Sequence, residues 1–558
     1  MKTRFALRLP IASALLPMLL ALSVSSCAQE QPTAPAQLSP TEVEAPISAP
    51  ATEEQPQEPA PTEMEAPSIK RGGTLTLSVP APVNTLDPHK VTSHESFPAT
   101  FHLFSALTRI GRDFSAEPEL AESWEHSEDA MTWTFHLNEN ATFHSGRPVT
   151  AEDVKFSLER VLDPVESPRG YTTIGPIEEV IAQDDHTVVI QLSKPYLDLP
   201  IDLGGIYPRI VNKDNLPDIN TNPDGSGPFK FKSWDPGGNV VLVRNESYFI
   251  MGEDGLPLPY IDEFLIVPIK DPTSELSALQ TGAIDVMLQL SFDLLETAEQ
   301  DTSIVVDGVP SGYHVLHLNL KPTFSDYDYE ASVYQDVRVR QAFAYIVDRE
   351  AMLQIAVGGH GEVGNDQPVP PYHAYGNPNI PTRTQDIARA KALLAEAGIE
   401  PGTHFTLYTT AGRPGLKELA VAFQEMAKEA DIVIDVEVVD VSRYFADMEF
   451  KAPFYVDTWD NRQTINATLK QFYVTGGSNN ASNLSDAELD ELLLAAESET
   501  DSDSRNELYW KAMERISDLA VSIIPYYKSY YIAYRSGLVN VFAHPMTYMW
   551  VDRVWWSE

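Results

Sequence analysis

The sequence predicts a mixed α/β protein folded into at least two lobes. Segments in which apolar and polar residues alternate indicate half-buried strands, and capped segments with helical apolar spacing indicate helices between them. The chain has 558 residues, and roughly 490 of them follow Lys70. Because a single hydrophobic core stops growing well below that size, we expect two or three subdomains.

The first residues predict export. Lys2, Arg4 and Arg8 form a basic segment, and residues 9–24 form an apolar run that contains two prolines. The run is too short and too rich in proline for a comfortable membrane-spanning helix, which favours a signal peptide over residues 1–26.

The apolar run ends in Val-Ser-Ser followed by Cys27, the one cysteine of the chain. This ending resembles the bacterial lipobox, in which the chain is cleaved before the cysteine and the thiol is acylated. The alternative is an ordinary secretory signal with a chance cysteine. A lone cysteine also excludes an intrachain disulfide framework.

A change of composition follows Cys27. Residues 28–69 are rich in Pro, Ala, Thr and Glu and contain no Lys or Arg. Such a segment has too little apolar surface to offset the entropy lost on ordering. We therefore expect residues 27–69 to be an acylated cysteine with a disordered tether that anchors the folded part to the membrane.

The folded part is predicted to mix strands and helices along its whole length. Alternating patterns predict strands at residues 72–79, 133–137, 188–192, 240–243, 264–269 and 314–320. Helical patterns begin with a cap at Thr150 and at Ser485, and cover residues 273–281, 337–355 and 384–397.

Composition and motifs exclude several classes of function. A net charge of −42 argues against nucleic acid as a partner. Residues 359–364 have dinucleotide-motif spacing, but they follow a helical pattern and precede a proline-rich run, which is the wrong context. We find no phosphate loop, zinc-protease helix or serine elbow. We therefore expect no enzyme activity, no cofactor and no metal site.

Several ordered runs together resemble the family 5 extracellular solute-binding proteins of ABC importers, which include oligopeptide-, dipeptide- and nickel-binding members. The runs extend over most of the chain from Gly72. They lie at residues 72–75, 86–90, 118–124, 133–137, 143–154, 225–229, 279–286, 336–342 and 348–350. Each run alone is weak evidence for the family. The resemblance rests on the presence of so many runs in the same order as in the family.

The resemblance implies a two-lobed periplasmic-binding-protein fold with a hinge and an additional inserted subdomain. Its expected parts are domain I at residues 70–110, 225–312 and 526–558, an inserted domain II at 111–224, and domain III at 313–525. Crossover strands are expected near residues 313–320 and 523–534, with tyrosines packing the hinge and the ligand held in the cleft.

The resemblance also points to a substrate-binding loop at residues 457–462. Peptide binders of the family place an Asp three residues after a cleft Trp, where it pairs with the peptide's α-amino group. Here Trp459 is followed by Arg462, so either Asp460 or Asp457 takes the ammonium, or Arg462 binds a carboxylate, with Asn461 between them. The alternatives are a core tryptophan and a salt bridge from Arg462 to Asp460 or Asp457.

On the opposite lobe, the family places a ligand-facing loop where Thr92, Ser93 and His94 stand in this sequence. We include these three residues in the predicted substrate-binding set. They share short polar or imidazole side chains, which can donate and accept hydrogen bonds.

The resemblance implies a monomeric substrate-binding lipoprotein on the periplasmic or extracellular face of the cell membrane. It would capture a small solute, with a short peptide favoured, and deliver it to an ABC permease and its ATPase subunits. Competing ligands are an oligosaccharide or another polyol or opine-like solute. Nickel and haem are disfavoured as ligands because the sequence shows no His/Met cluster that could bind them. A ligand-sensing receptor module is the rival from another class.

Overall fold

The computed structural model describes residues 69–321, 331–373, 375–477 and 479–557. The predicted signal peptide, Cys27 and residues 28–68 of the tether lie outside these described residues. Within the described part, no helix is both long and apolar enough to cross a bilayer.

The strands are numbered in chain order. They are β1 (Thr74–Val79), β2 (Thr108–Ile110), β3 (Ala116–Pro118), β4 (Ala121–His126), β5 (Thr132–Leu137), β6 (Ile177–Ala182), β7 (Thr187–Leu192), β8 (Phe229–Trp234), β9 (Val240–Arg244), β10 (Glu263–Pro268), β11 (Val286–Met287), β12 (Ile304–Leu318), β13 (Gly361–Val363), β14 (His404–Thr410), β15 (Val433–Val439), β16 (Phe454–Asp460), β17 (Ser522–Arg535), β18 (Leu538–Val539) and β19 (Trp555–Trp556).

The α-helices are numbered in the same way. They are α1 (Phe97–Leu103), α2 (Ala151–Leu162), α3 (Leu199–Asp202), α4 (Pro272–Gln280), α5 (Leu295–Glu299), α6 (Val337–Ile346), α7 (Arg349–Val357), α8 (Ile387–Glu396), α9 (Leu416–Glu429), α10 (Val441–Arg443), α11 (Ile465–Phe472), α12 (Ala487–Ser498) and α13 (Ser502–Leu519).

Two long antiparallel strands, β12 and β17, connect two groups of strands in one large sheet. Its order is β15-β14-β16-β12-β17-β11-β1-β10-β9-β8. The end of β12 pairs with β16, whereas the end of β17 pairs with β11. These are the predicted crossover strands, although β12 begins at Ile304, earlier than the sequence indicated.

We call the group with β1 and β8–β11, together with β2–β7 and α1–α4, the first lobe. The group with β13–β16 and α6–α13 is the second lobe. The first lobe also contains a separate four-stranded sheet, β4-β5-β7-β6, at residues 121–192. That sheet falls inside the predicted inserted domain, whose boundaries stay a prediction.

The inserted sheet packs on α2, and the start of this helix is the predicted one. Thr150 and Asp153 form a capping box in which each side chain accepts from the other residue's backbone N–H. Val154 and Leu158 lie fully buried on the helix face that meets the sheet. The local signal and the packing therefore agree.

In the second lobe, the sheet has helices on both faces. On β16, Phe454 and Val456 join a core with α6, α7 and α9. Tyr455 and Trp459 point to the other face and join a core with α11, α12 and α13. This division follows from the alternation of side chains along a strand.

Two predicted helices have different bounds in the structure. The helix predicted at 337–355 is two helices, α6 and α7, because Asp348 accepts the N–H of Ala351 and caps a new helix start. The cap of α12 is Asp486, which accepts the N–H of Leu489, and not Ser485.

Candidate functional site

A cleft of about 1250 Å³ lies between the two lobes. The first lobe lines it with the segment around Thr92, the loop between α2 and β6, and the residues after β7. The second lobe lines it with the loop before α11, with α11 itself and with the end of α12. The lining residues are Thr92, His94, Phe97, Pro168, Arg169, Tyr171, Thr172, Thr173, Gly175, Pro176, Lys194, Tyr196, Asp202, Ile206, Tyr207, Arg462, Gln463, Asn466, Ala467, Lys470, Gln471, Asn479, Glu497, Met546 and Tyr548.

The loop between β16 and α11 is held at both ends. The backbone N–H of Asn461 donates to the carbonyl of Ser311 at 2.9 Å, next to the bulge that separates Pro310 from Gly312 on β12. The hydroxyl of Thr464 accepts the N–H of Ala467 at 3.0 Å and caps α11. The two residues between these anchors, Arg462 and Gln463, both line the cleft.

The guanidinium of Arg462 has no carboxylate at close range in the part of the chain that the structure describes. Among the described residues, no acidic side chain lies within 4.0 Å of it, and its one aromatic partner is the ring of Phe472, 5.5 Å from Cζ. Its Nε is buried and has no hydrogen-bond partner in the described part of the chain. This side chain is therefore able to accept an anionic group.

The predicted alternative, a salt bridge from Arg462 to Asp460 or Asp457, is wrong. Asp460 is bound instead by Lys528, whose Nζ lies 2.7 Å from Oδ1. Burial and the charge of Glu449 raise the pKa of Asp457 to about 7. Asp457 also accepts a hydrogen bond from the indole N–H of Trp459 at 3.1 Å.

Trp459 lies in the core of the second lobe and does not line the cleft. It is 7% exposed and meets Phe472 edge to face, with ring centroids 3.7 Å apart. Asp457, Asp460, Asn461 and Ser93 are also outside the cleft lining. The structure places Trp459 and these four residues outside the cleft lining. Contact between any of the five and a ligand stays a prediction.

Two of the three residues predicted on the first lobe line the cleft, Thr92 and His94. The carbonyl of Thr92 accepts a hydrogen bond from Arg169 at 2.9 Å, which holds that guanidinium at the cleft edge. The His94 ring packs on Phe97 with centroids 4.9 Å apart. Their contact with ligand stays a prediction.

A buried carboxylate, Asp202, faces the second lobe from the first. Tyr196 donates its hydroxyl to Oδ2 at 2.6 Å, and Gln463 donates Nε2 to Oδ1 at 2.6 Å. Burial raises the pKa of Asp202 to about 7, with a further contribution from the charge of Asp198, and these two hydrogen bonds offset only part of the increase. The Gln463 bond joins the two lobes directly.

A second link between the lobes is the cluster of Lys194, Lys470 and Glu497. Glu497 accepts from Lys194 at 2.8 Å and from Lys470 at 2.6 Å, one lysine on each carboxylate oxygen. Burial lowers the pKa of Lys470, and the charge of Lys194 adds to this effect while Glu497 opposes it. One carboxylate therefore serves two ammonium groups.

A third link is a buried salt bridge between Arg505 on α13 and Asp198 on the first lobe. Burial alone would raise the pKa of Asp198, and the net pKa is still raised although Arg505 lowers it. These three polar links join the lobes around the cleft and fix the present separation of its walls.

The sequence did not point to five of the charged cleft residues: Arg169, Lys194, Asp202, Lys470 and Glu497. Glu497 stands at the end of an amphipathic helix, where an acidic residue is ordinarily solvated. Lys194 and Asp202 belong to no motif. The only usable signal was proximity in sequence, since Gln463 adjoins the predicted Arg462.

Comparisons with known proteins agree with this geometry. The model of the family "Bacterial extracellular solute-binding proteins, family 5 Middle" matches residues 115–482, more than half of the chain. The chain belongs to this family. Its members bind solutes and are not enzymes, and their two-lobed fold is the one described above.

Among relatives, a dipeptide-binding protein, DppE of Bacillus subtilis, is 25% identical over 520 residues, covering 84% of this chain and 90% of that protein. The periplasmic oligopeptide-binding protein OppA of Salmonella typhimurium is 27% identical, covering 82% and 87%. The ABC transporter substrate-binding protein CtaP of Listeria monocytogenes has the same fold, with a TM-score of 0.77 at 23% identity over 88% of this chain and 100% of that one.

Proposed function

We propose that this family 5 protein captures a short peptide in the cleft between its lobes and delivers it to the permease of an ABC importer. The observation that carries the proposal is the cleft itself, which takes polar side chains from both lobes and aromatic side chains such as Tyr171, Tyr196 and Tyr207 from the first. Its volume of about 1250 Å³ exceeds the range of roughly 300–1,000 Å³ usual for small-molecule pockets. Relatives named for dipeptides and oligopeptides support the same ligand class.

Ligand contacts on both lobes would favour the closed arrangement. Shifting a two-state protein from mostly open to mostly closed takes about 5.5 kcal/mol of differential binding. Each neutral hydrogen bond between the lobes contributes on the order of 1 kcal/mol to closure. The bond from Gln463 to Asp202 therefore supplies a minor share of that energy.

Within the cleft, we assign a ligand carboxylate to Arg462. Its planar guanidinium can donate two parallel hydrogen bonds to one carboxylate. Among the described residues, no acidic side chain lies within 4.0 Å of it. Thr92 and His94, on the facing lobe, would contact the other end of the ligand. We also propose the domain assignment expected from the sequence, in which domains I and II form the first lobe and domain III forms the second.

We also propose that acylated Cys27 anchors a monomeric protein to the outer face of the cell membrane. Lipobox-like residues before Cys27 and the polar segment after it support this location. Replacing Cys27 with Ser should move the protein from the membrane fraction to the soluble fraction on cell fractionation. Retention of Cys27→Ser in the membrane fraction would contradict the anchor.

The proposed class of ligand is tested by purifying the protein without its signal peptide, denaturing it, and identifying the released small molecules by mass spectrometry. A titration series of di-, tri- and tetrapeptides, with maltotriose and mannitol as non-peptide arms, then measures affinity by calorimetry. We expect released peptides and saturable binding of at least one peptide. Exclusive binding of the sugar or the polyol would overturn peptide capture.

A further inference from the structure

The charges that line the cleft have the opposite balance to the rest of the chain. The whole chain contains 81 acidic residues and 39 Lys and Arg residues. The cleft is lined by four Lys or Arg side chains and two carboxylates. A cleft built from the average composition would be strongly acidic, so this reversal marks the site for a particular ligand charge.

The basic residues at the cleft are only partly neutralised. Among the described residues, neither Arg462 nor Arg169 has an acidic side chain within 4.0 Å. Glu497 is shared between Lys194 and Lys470, so that cluster carries one positive charge in excess.

The acidic groups near the cleft do not restore neutrality. Asp202 has a pKa of about 7, raised by burial, and is therefore protonated in part of the population at neutral pH. Asp460 lies close enough for its pKa to respond to Arg462, but Lys528 neutralises it at 2.7 Å. The cleft thus keeps an excess of at least two positive charges.

We propose that the cleft selects anionic ligands, specifically short peptides with acidic side chains over neutral or basic ones. This inference rests on the proposed function and names the charge of its ligand class. A ligand carboxylate at Arg462 pairs a guanidinium that has no acidic partner within 4.0 Å in the described part of the chain. A second carboxylate near Lys194 and Lys470 relieves the repulsion between two ammonium groups that share one partner.

The direct test measures four ligands by calorimetry with the purified, signal-free protein: Glu-Ala-Glu, Ala-Ala-Ala, Lys-Ala-Lys and glutarate. We expect Glu-Ala-Glu to bind at least tenfold more tightly than Ala-Ala-Ala and Lys-Ala-Lys, with the preference decreasing as salt is added. If the other peptides bind, equal or weaker binding of Glu-Ala-Glu would overturn the charge selection. In that case, binding of the other peptides would leave peptide capture intact.

Glutarate separates the two claims. Tight binding of glutarate without binding of any peptide would support an anionic site and overturn peptide capture. If neither Glu-Ala-Glu nor glutarate binds, the charge selection is overturned.

A variant at Glu497 tests the charge mechanism separately from folding. Glu497→Gln removes the shared counterion, so the ratio of affinities for Glu-Ala-Glu over Ala-Ala-Ala should rise at least threefold. Because any weakening of lobe closure affects both peptides, the ratio isolates the electrostatic part. Glu491→Gln makes the same charge change at an exposed position of α12 outside the cleft lining, and its ratio should match the wild type. An unchanged or lower ratio in Glu497→Gln would overturn the role assigned to the lysine pair.

Discussion

Gln463 of the second lobe donates a hydrogen bond to Asp202 of the first lobe at 2.6 Å. The acceptor belongs to the short helix α3, and the donor lies one residue before the cap of α11. This bond places the loop that carries Arg462 against the inserted sheet's lobe. A single residue thus connects the proposed ligand contact with the position of the two lobes.

Replacing Gln463 with Ala should favour an open protein and weaken peptide binding about fivefold, because the closed form loses a hydrogen bond of about 1 kcal/mol. Small-angle scattering of the ligand-free protein should give a larger radius of gyration. Gln300→Ala, an exposed change directly after α5 and outside the cleft lining, serves as the control. A Gln463→Ala protein with wild-type dimensions and affinity would show that this bond does not influence closure.

Replacing Asp202 with Asn should flatten part of the dependence of stability on pH. The pKa of Asp202 is about 7 in the folded chain, against roughly 3.9 in an unfolded one. The raised pKa means that folding favours the protonated form, so its contribution is present below about pH 4 and is lost as the pH rises to about 7. Asn cannot ionise, and the melting temperature of Asp202→Asn should fall less between pH 4 and pH 8.

Glu275→Gln is the matched comparison for that experiment, because burial raises the pKa of Glu275 to about 7 at a position outside the cleft lining. It should flatten the stability profile and leave peptide affinity unchanged. A profile for Asp202→Asn that parallels the wild type would contradict the raised pKa of Asp202.

Trp459→Ala should destabilise the protein by about 3–5 kcal/mol, because it empties a packed position beside Phe472 and leaves Asp457 without its indole donor. Trp459→Phe should lose less, since the ring is kept. Chemical denaturation gives the stability, and calorimetry on the folded protein gives the affinity. Wild-type stability combined with lost affinity would instead make Trp459 a ligand contact.

Arg462→Ala should weaken binding of the natural ligand at least tenfold, or about 1.4 kcal/mol, while changing the melting temperature little. The small stability effect is expected because no described carboxylate depends on this guanidinium at close range. Arg389→Ala, on α8 and outside the cleft lining, is the control. Unchanged affinity on calorimetry would make Arg462 a structural residue.

Local sequence patterns predicted the elements well wherever propensity and packing act together. The capping box at Thr150 and the strand predicted from residue 314, which forms the end of β12, are examples. Asp348 was misinterpreted because a capping residue inside a continuous apolar pattern looks like part of one helix. The two helices it separates pack on the same core, so the apolar spacing continues across the break.

The site was less predictable because its charged members come from distant parts of the chain. Lys194 and Glu497 are 303 positions apart and meet only after the lobes are assembled. Trp459 was predicted at the cleft by position in a motif, yet strand alternation directs its ring to the core. Arg462 lies in the loop after that strand, where alternation no longer applies, and it does line the cleft.

The most direct test of peptide capture between the lobes is hydrogen exchange with and without the tightest-binding tripeptide of the titration series. We predict slower exchange at residues 168–176 of the first lobe and at residues 462–471 of the second lobe in the same sample. Protection confined to one lobe, or to residues away from the cleft, would contradict peptide capture between the lobes.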